Sequence, residues 1–349
     1  MSVIIKNINK KYGDFVAVND ISFQVKEGEF LALLGPSGSG KTTLLRIIAG
    51  LELPDTGEIY LEGIDAQNKP VRERKIGFVF QHFALFKHLS VFDNIAFGLR
   101  LKRPKLTKQE IYLRVDNLLK LVHLAGVGGK YPSELSGGQR QRVALARVLA
   151  IEPKYMLLDE PFGALDSKVR KELRRWLKKL HDTIGLTTIF VTHDQEEAIE
   201  IADRIAILND GKLVQLATPL ELWESPANVF VYDFLGNYNI FKGYEIEDGK
   251  LLFSKPSSQA HMTQVYSRPY EIGIERTPSD PRFFQQATLT LINKAGPLIK
   301  LEFEGKEETF YLAEIEKSIL ETMNFKIGEE LWLKPLRYCQ FKKSTVLSE

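Results

Sequence analysis

Gly35-Pro36-Ser37-Gly38-Ser39-Gly40-Lys41-Thr42 decides the fold of this chain. The stretch has P-loop spacing: a glycine, four residues, then Gly-Lys-Thr. Before it stands Phe30-Leu31-Ala32-Leu33-Leu34, a short apolar run that predicts a buried parallel strand. Residues 42–49 have a helical pattern that stops at Gly50. Strand, glycine loop and helix are the context the motif requires. Glycines let backbone N–H groups face phosphates with no Cβ in the way, and a helix N-terminus adds positive potential. Lys41 can reach the β- and γ-phosphates, and Thr42 can ligate Mg2+. A Gly/Ser-rich linker that holds a lysine by chance would lack these flanks. By itself the motif implies only that a nucleoside triphosphate binds.

The 349 residues suggest two domains. Hydrophobic content of 44% and charge of 26% are those of an ordinary globular protein. A net charge of +2 argues against nucleic acid as a partner. One cysteine, Cys339, excludes a disulfide framework and fits a reducing cytosol. Met1-Ser2-Val3-Ile4-Ile5-Lys6 lacks the apolar core of a signal peptide, and no run approaches the roughly 18 apolar residues of a membrane span. If the protein works at a membrane, partner chains must do the spanning.

Upstream of the P-loop, Ile21, Phe23 and Val25 alternate with polar residues, as in a half-buried strand. Tyr12, in Lys11-Tyr12-Gly13-Asp14, reads as a loop aromatic that either stacks on adenine or packs within its own turn. Residues 58–62 and 76–80 read as further strands, the second ending at Gln81. Gln81 can bind Mg2+ or the attacking water. The aromatic-rich stretch after it, residues 82–89, is either core or a docking surface.

Residues 91–151 read as mostly helical. Thr107 and Glu110 form a capping-box pattern, and Ile111, Val115, Leu118, Leu119 and Val122 share one face of the helix that follows. Leu135-Ser136-Gly137-Gly138-Gln139 then opens a helix expected over about 140–150. That is a second glycine-bearing helix N-terminus, hence a second potential phosphate site. One phosphate chain does not need two such sites from one subunit, so the second points to ATP held by another copy.

Tyr155-Met156-Leu157-Leu158-Asp159-Glu160 is an apolar strand ending in paired carboxylates. Beside a P-loop, Asp159 suits the Mg2+ shell and Glu160 suits polarising water. Gly163-Ala164-Leu165-Asp166 follows as a loop. Residues 168–183 form an amphipathic helix with an apolar stripe of Val169, Leu173, Trp176, Leu177 and Leu180; its Lys and Arg residues read as a solvated face. A β-branched strand over 187–191 leads to His193, which can hydrogen-bond a γ-phosphate. Asn209-Asp210-Gly211-Lys212 predicts a hairpin. Near Asn237 helical periodicity fades. Short strands are expected over 272–274, 287–292, 298–303, 308–312 and 330–333, in a small all-β, barrel-like domain with no catalytic constellation.

Together these residues resemble the ATP-binding subunits of ABC transporters. Residues 35–42 look like the Walker A motif, 135–139 like the family signature, and 156–160 like Walker B with its catalytic glutamate. Gln81 matches the Q-loop glutamine, Leu165-Asp166 the D-loop, His193 the switch histidine and Tyr12 the adenine-stacking aromatic. The resemblance covers residues 1 to about 235. It implies an α/β P-loop NTPase, an ABC ATPase core over 1–236 with a helical subdomain at about 90–155. Residues 237–349 resemble the C-terminal OB-type regulatory domains of bacterial importer ATPases.

The resemblance also implies ATP and Mg2+ as cofactors. Tyr12, Gly35, Pro36, Ser37, Gly38, Ser39, Gly40, Lys41, Thr42 and Thr43 would hold ATP, with Ser136, Gly137, Gly138, Gln139 and Asp166 facing that of the partner. Thr42, Gln81 and Asp159 would surround the metal, and Glu160, His193 and Gln81 would serve hydrolysis. Residues 71–99, 168–181 and Phe234-Leu235-Gly236-Asn237 look most like the sulfate/thiosulfate importer branch. Arg268-Pro269-Tyr270-Glu271 departs from the Arg-Pro-His-Asp usual there.

The expectation is therefore an import ATPase: a homodimer at the cytoplasmic face of the inner membrane, beneath two transmembrane permeases served by a periplasmic or extracellular solute-binding protein. Phe83, Leu85 and Phe86 are the expected docking side chains. Molybdate, sugar or polyamine import are the alternatives of the same class. A soluble ABC-class ATPase acting on ribosomes or DNA would usually carry two cassettes or a long coiled-coil insertion. A non-catalytic scaffold would not need Glu160 and His193.

Overall fold

A computed structural model describes residues 2–102, 104–163, 165–245, 251–253 and 262–341. The chain divides into two compact units, Met1–Ala227 and Asn228–Glu349.

In the first unit the strand Phe30–Leu34 lies inside a six-stranded sheet, flanked by Thr187–Thr192 and Arg204–Asn209. Tyr155–Asp159 and Ile76–Val79 continue the sheet on one side, all in parallel register. Lys212–Ala217 closes the other edge as the antiparallel arm of the expected hairpin, with Asp210 and Gly211 at positive φ. Every residue of the Phe30, Tyr155 and Thr187 strands is buried, which is why they read as unbroken runs rather than alternations. Helix Lys41–Ala49 adds Leu44, Leu45, Ile47 and Ile48 to the same core.

A four-stranded antiparallel sheet packs into this core, in the order Phe15–Val25, Val3–Tyr12, Thr56–Leu61, Ile64–Asp65. The Val3–Tyr12 strand escapes the pattern reading because register shifts interrupt it after Ile5, Ile8 and Lys10, so its faces do not alternate cleanly. Tyr12 accordingly ends a strand and does not lie on a loop.

The P-loop is wedged between the two sheets. A Cβ on Gly40, at φ 92°, would stand 2.1 Å from the carbonyl oxygen of Ala17. One on Gly35 would stand 2.2 Å from that of Leu208. These glycines are required by close backbone approach as well as by torsion. At the other end of the helix, Arg74 is buried and donates to the carbonyls of Ile47, Ile48, Gln67 and Lys69. It caps the negative end of the P-loop helix with a cation, an arrangement that nothing local to the motif announces.

Helices Val91–Leu101, Lys108–Leu121 and Gly137–Ala150 share a separate core that includes Ile95, Leu99, Val115 and Val143. The Thr107/Glu110 capping box forms as expected. The last helix begins at Gly137, three residues before the expected start, because Ser136 caps it. The two glycines disguise a genuine first turn.

The second unit carries a three-stranded sheet (Leu251–Leu252, Asn239–Glu245, Met262–Ser267) and a five-stranded one (Ile272–Glu275, Glu330–Pro335, Gln285–Asn293, Ile299–Gly305, Phe310–Ile315). The expected later strands are present, although Glu308 belongs to a 3-10 turn before its strand. Helices Val229–Phe234 and Lys317–Met323 were not expected, so the unit is strand-rich and not purely β. Arg268 is buried with its guanidinium 3.9 Å from the Tyr232 ring centroid, and it donates to the carbonyls of Tyr232, Gly236 and Asn237. That geometry gives the Arg-Pro-Tyr-Glu segment a structural role.

The glycine contacts yield a paired prediction. Gly40→Ala adds a backbone collision to a strained torsion and should cost on the order of 3 kcal/mol or more. Gly38→Ala, at φ 82° with open space around its Cβ, should cost only about 1 kcal/mol. Urea unfolding of the nucleotide-free protein checks this; equal losses would contradict the wedge.

Candidate nucleotide site

The Lys41 side chain is buried and folds back over its own loop. Its ammonium donates to Gly35 O at 2.9 Å and Pro36 O at 2.8 Å, and lies 3.3 Å from Ser39 Oγ. Burial pulls its pKa down, and the carboxylates of Glu160 and Asp159 hold it up. A cation kept this dry gains from an anion brought to it.

Thr42 Oγ1 donates to Asp159 Oδ1 at 2.9 Å, joining the helix start to the end of the Tyr155–Asp159 strand. Asp159 is buried, and that burial raises its pKa, opposed first by the Thr42 hydrogen bond. A hydroxyl and a desolvated carboxylate side by side suit a hard cation with oxygen ligands. These residues fit Mg2+, which Thr42 and Asp159 would hold and which would supply positive charge beside the phosphates.

Glu160 sits one residue beyond the strand at φ 44°, in the left-handed region unusual for glutamate. Its backbone N–H donates to Val191 O, which sets the turn. Gln81 Nε2 donates to Glu160 Oε2 at 2.8 Å, and His193 Nδ1 lies 3.5 Å from Glu160 Oε1. Residues from three strand ends therefore meet at one carboxylate. Gln81 is brought to Glu160, whereas the sequence had allotted it to the metal as well. The group can accept a proton or orient water, with an amide and an imidazole on either side.

The loop after Gln81 is held from two directions. Asn94, fully buried, accepts from Phe86 N and donates to the carbonyls of Phe86, Leu89 and Ser90. Arg147 donates to the carbonyls of Phe83 and Ala84. This corrects the expected docking set at Phe83 alone. Phe83 is buried, whereas Leu85 and Phe86 are half-buried; Leu85 packs on the helical core, and Phe86 meets Phe97 with tilted rings 4.8 Å apart and the Arg147 guanidinium over its own ring. Phe80 and Phe97 are exposed apolar rings of this region.

Ser136 caps its helix reciprocally with Gln139. A Cβ on Gly137 would meet Leu165 at 2.7 Å, and one on Gly138 would meet Val169 at 2.9 Å. The signature glycines thus lie against the segment bearing Asp166, which caps helix Ser167–Ile184 through Val169 N. Asp166 is exposed, and so is Tyr12, whose ring faces Lys10 Nζ at 5.3 Å. The basic face of helix 167–184 is not wholly solvated. Arg174 is buried against Glu196 and Glu200, and Arg170 reaches Asp194. The sequence hid these pairs because their partners lie more than twenty residues away.

The second unit contains a cleft of about 850 Å³ lined by side chains that include Lys242, Phe310 and Trp332. Among the described residues its walls carry neither carboxylate nor histidine, in contrast to the chemistry gathered around Glu160.

The ABC transporter family profile matches residues 18–163. A sulfate/thiosulfate import ATP-binding protein of Bacillus cereus is 49% identical over 346 residues, spanning 96% of both chains. One from Acinetobacter baylyi is 56% identical over 290 residues, covering 80% of this chain and 82% of its own. This chain belongs to the sulfate/thiosulfate import ATP-binding proteins of the ABC transporter family. Among solved structures, the ATP-binding cassette MJ0796, a dimer bound to ADP and Pi after hydrolysis, is similar at 38% identity and a TM-score of 0.56. The match covers 62% of this chain and 98% of that cassette. A cbiO1 subunit from Clostridium perfringens, part of the transporter complex cbiONQ, is 32% identical with a TM-score of 0.59, covering 64% of this chain and 91% of its own.

Glu160→Gln should keep ATP binding and slow phosphate release by about 10²–10⁴-fold. Undiminished hydrolysis would remove Glu160 from the chemistry.

Proposed function

We propose that this chain is the ATP-hydrolysing subunit of a sulfate or thiosulfate importer. The observation that carries the reading is the meeting of Gln81 and His193 at Glu160, beside the buried Lys41 and the Thr42–Asp159 pair. A non-catalytic relative would have no use for a strained glutamate with an amide bonded to one oxygen and an imidazole 3.5 Å from the other. The solute follows from relatives named for sulfate/thiosulfate import at 47–56% identity over most of their length.

In this reading the backbone of Gly35, Pro36, Ser37, Gly38, Ser39 and Gly40 cradles the phosphates of ATP, with Thr43 alongside. Lys41 turns from its own carbonyls to the β- and γ-phosphates. Thr42, Asp159 and Gln81 would hold Mg2+, which would supply charge to offset that of the phosphates. Tyr12 stacks on adenine with its exposed ring. Glu160 orients the attacking water and takes up its proton, Gln81 keeps that carboxylate in place, and His193 steadies the γ-phosphate. Ser136, Gly137, Gly138 and Gln139 of one copy, with Asp166, cover the ATP of a second copy, so hydrolysis belongs to a homodimer.

No helix among the described residues is long and apolar enough to cross a membrane. In this reading a pair of permease subunits does the spanning, with this chain bound at the cytoplasmic face and a solute-binding protein on the far side. The exposed Phe80 and Phe97 suit the grip on a permease helix. Residues 1–236 form the ATPase domain, with a helical subdomain at about 90–155. Residues 237–349 form an OB-type domain that adds dimer contacts and regulation.

Coupling requires that a loaded binding protein outside favour closure of the cassettes inside. ATPase activity of the reconstituted transporter should rise with sulfate-loaded binding protein. Phe97→Asp should abolish that rise while leaving ATP binding by the isolated subunit unchanged. Stimulation by a sugar-loaded binding protein and none by sulfate would contradict the solute while leaving the ATPase standing.

A further inference from the structure

One guanidinium ties together two loops that the proposed mechanism uses separately. Arg170 stands in the first turns of helix Ser167–Ile184. Its Nη2 donates to Leu165 O at 3.2 Å, within the segment that carries Asp166. Its Nη1 donates to Asp194 Oδ2 at 3.2 Å, and Asp194 directly follows His193. Its Nε lies 3.8 Å from Glu197 Oε1 and makes no hydrogen bond of its own. Asp194 in turn caps helix Gln195–Ile201 by accepting from Glu197 N, and its own N–H donates to Thr192 Oγ1. Thr192 Oγ1 donates to the buried Glu197 at 2.5 Å. Both residues flanking His193 therefore belong to a network that ends on Arg170, and the other arm of that arginine holds Leu165.

Leu165 is also the side chain against which Gly137 packs so closely that a Cβ would collide at 2.7 Å. A shift of the signature turn is thus felt at Leu165. From Leu165 the rigid, planar guanidinium carries it to the turn bearing His193. Lysine has the charge but not the fork, and a single ammonium on a flexible stem cannot hold both loops at fixed spacing.

We propose that Arg170 is a positioning residue that links closure of the signature and Asp166 segments to the placement of His193 at the γ-phosphate. The inference rests on the ATPase reading above. It acts on the rate of hydrolysis, not on the capture of ATP, because Arg170 touches neither the P-loop nor the Thr42–Asp159 pair.

A double-mutant cycle on the full-length chain tests this, by single-turnover hydrolysis with enzyme in excess. Arg170→Lys should leave the melting temperature and the ATP dissociation constant unchanged and slow hydrolysis roughly ten-fold or more, as expected for a misplaced catalytic group. In a His193→Ala background the same change should add less than about two-fold, because its effect is already lost. Full activity in Arg170→Lys would overturn the proposal. So would an undiminished further loss in the His193→Ala background, or a fall in ATP affinity that matches the fall in rate. If Arg170→Lys melts early, Arg170→Gln enters the same cycle under the same expectations. Glu160→Gln run alongside separates the two readings: normal hydrolysis by that variant would fault the ATPase assignment itself.

Discussion

Everything in the nucleotide site depends on a cation kept almost dry. Lys41 lies under the P-loop with its ammonium on the carbonyls of Gly35 and Pro36. Its charge is disfavoured by burial and sustained by Glu160 and Asp159. The loop is therefore built around a positive centre before any phosphate arrives. The glycines at 35 and 40 let neighbouring strands press on that loop, at the carbonyls of Leu208 and Ala17. Loop shape, helix start and cation are one construction, and Arg74 at the far end of the helix completes it.

The second layer is a set of strand ends on one edge of a parallel sheet. Tyr155–Asp159, Thr187–Thr192 and Ile76–Val79 end at Glu160, His193 and Gln81 respectively, separated by at most one residue. Parallel register delivers the three side chains to one place, while the left-handed turn at Glu160 aims its carboxylate between the other two. The strain at that residue is held by its N–H bond to Val191 O. Buried strands supply rigidity, and the short turns beyond them supply chemistry.

Much of this was legible because it is local. Spacing marks Lys41 and Thr42, strand-end position marks Asp159, Glu160 and His193, and the buried parallel strands stand out as unbroken apolar runs. What escaped was non-local or irregular. The bulges in Val3–Tyr12 erase its alternation. Arg74, Asn94, Arg147 and Arg170 act on carbonyls and carboxylates set by the fold, and no local pattern marks a buried arginine. Phe83 reads as a docking residue because exposed and buried aromatics look alike in a loop; Arg147 binds its carbonyl, and the ring is buried. The Ser136 cap was visible, but paired glycines obscured the helix it opens.

The account stands or falls on the buried cation, and calorimetric titration of Lys41→Met with ATP tests it most directly. Methionine matches the volume of the lysine stem and removes the ammonium, its charge and its bonds to the carbonyls of Gly35 and Pro36 together. The account predicts a protein that still folds cooperatively and binds ATP at least ten-fold more weakly, in line with the loss of charge-assisted bonds to phosphate. An affinity equal to that of the unaltered chain would show that Lys41 is only a strut for its loop, and would contradict the assignment of this site.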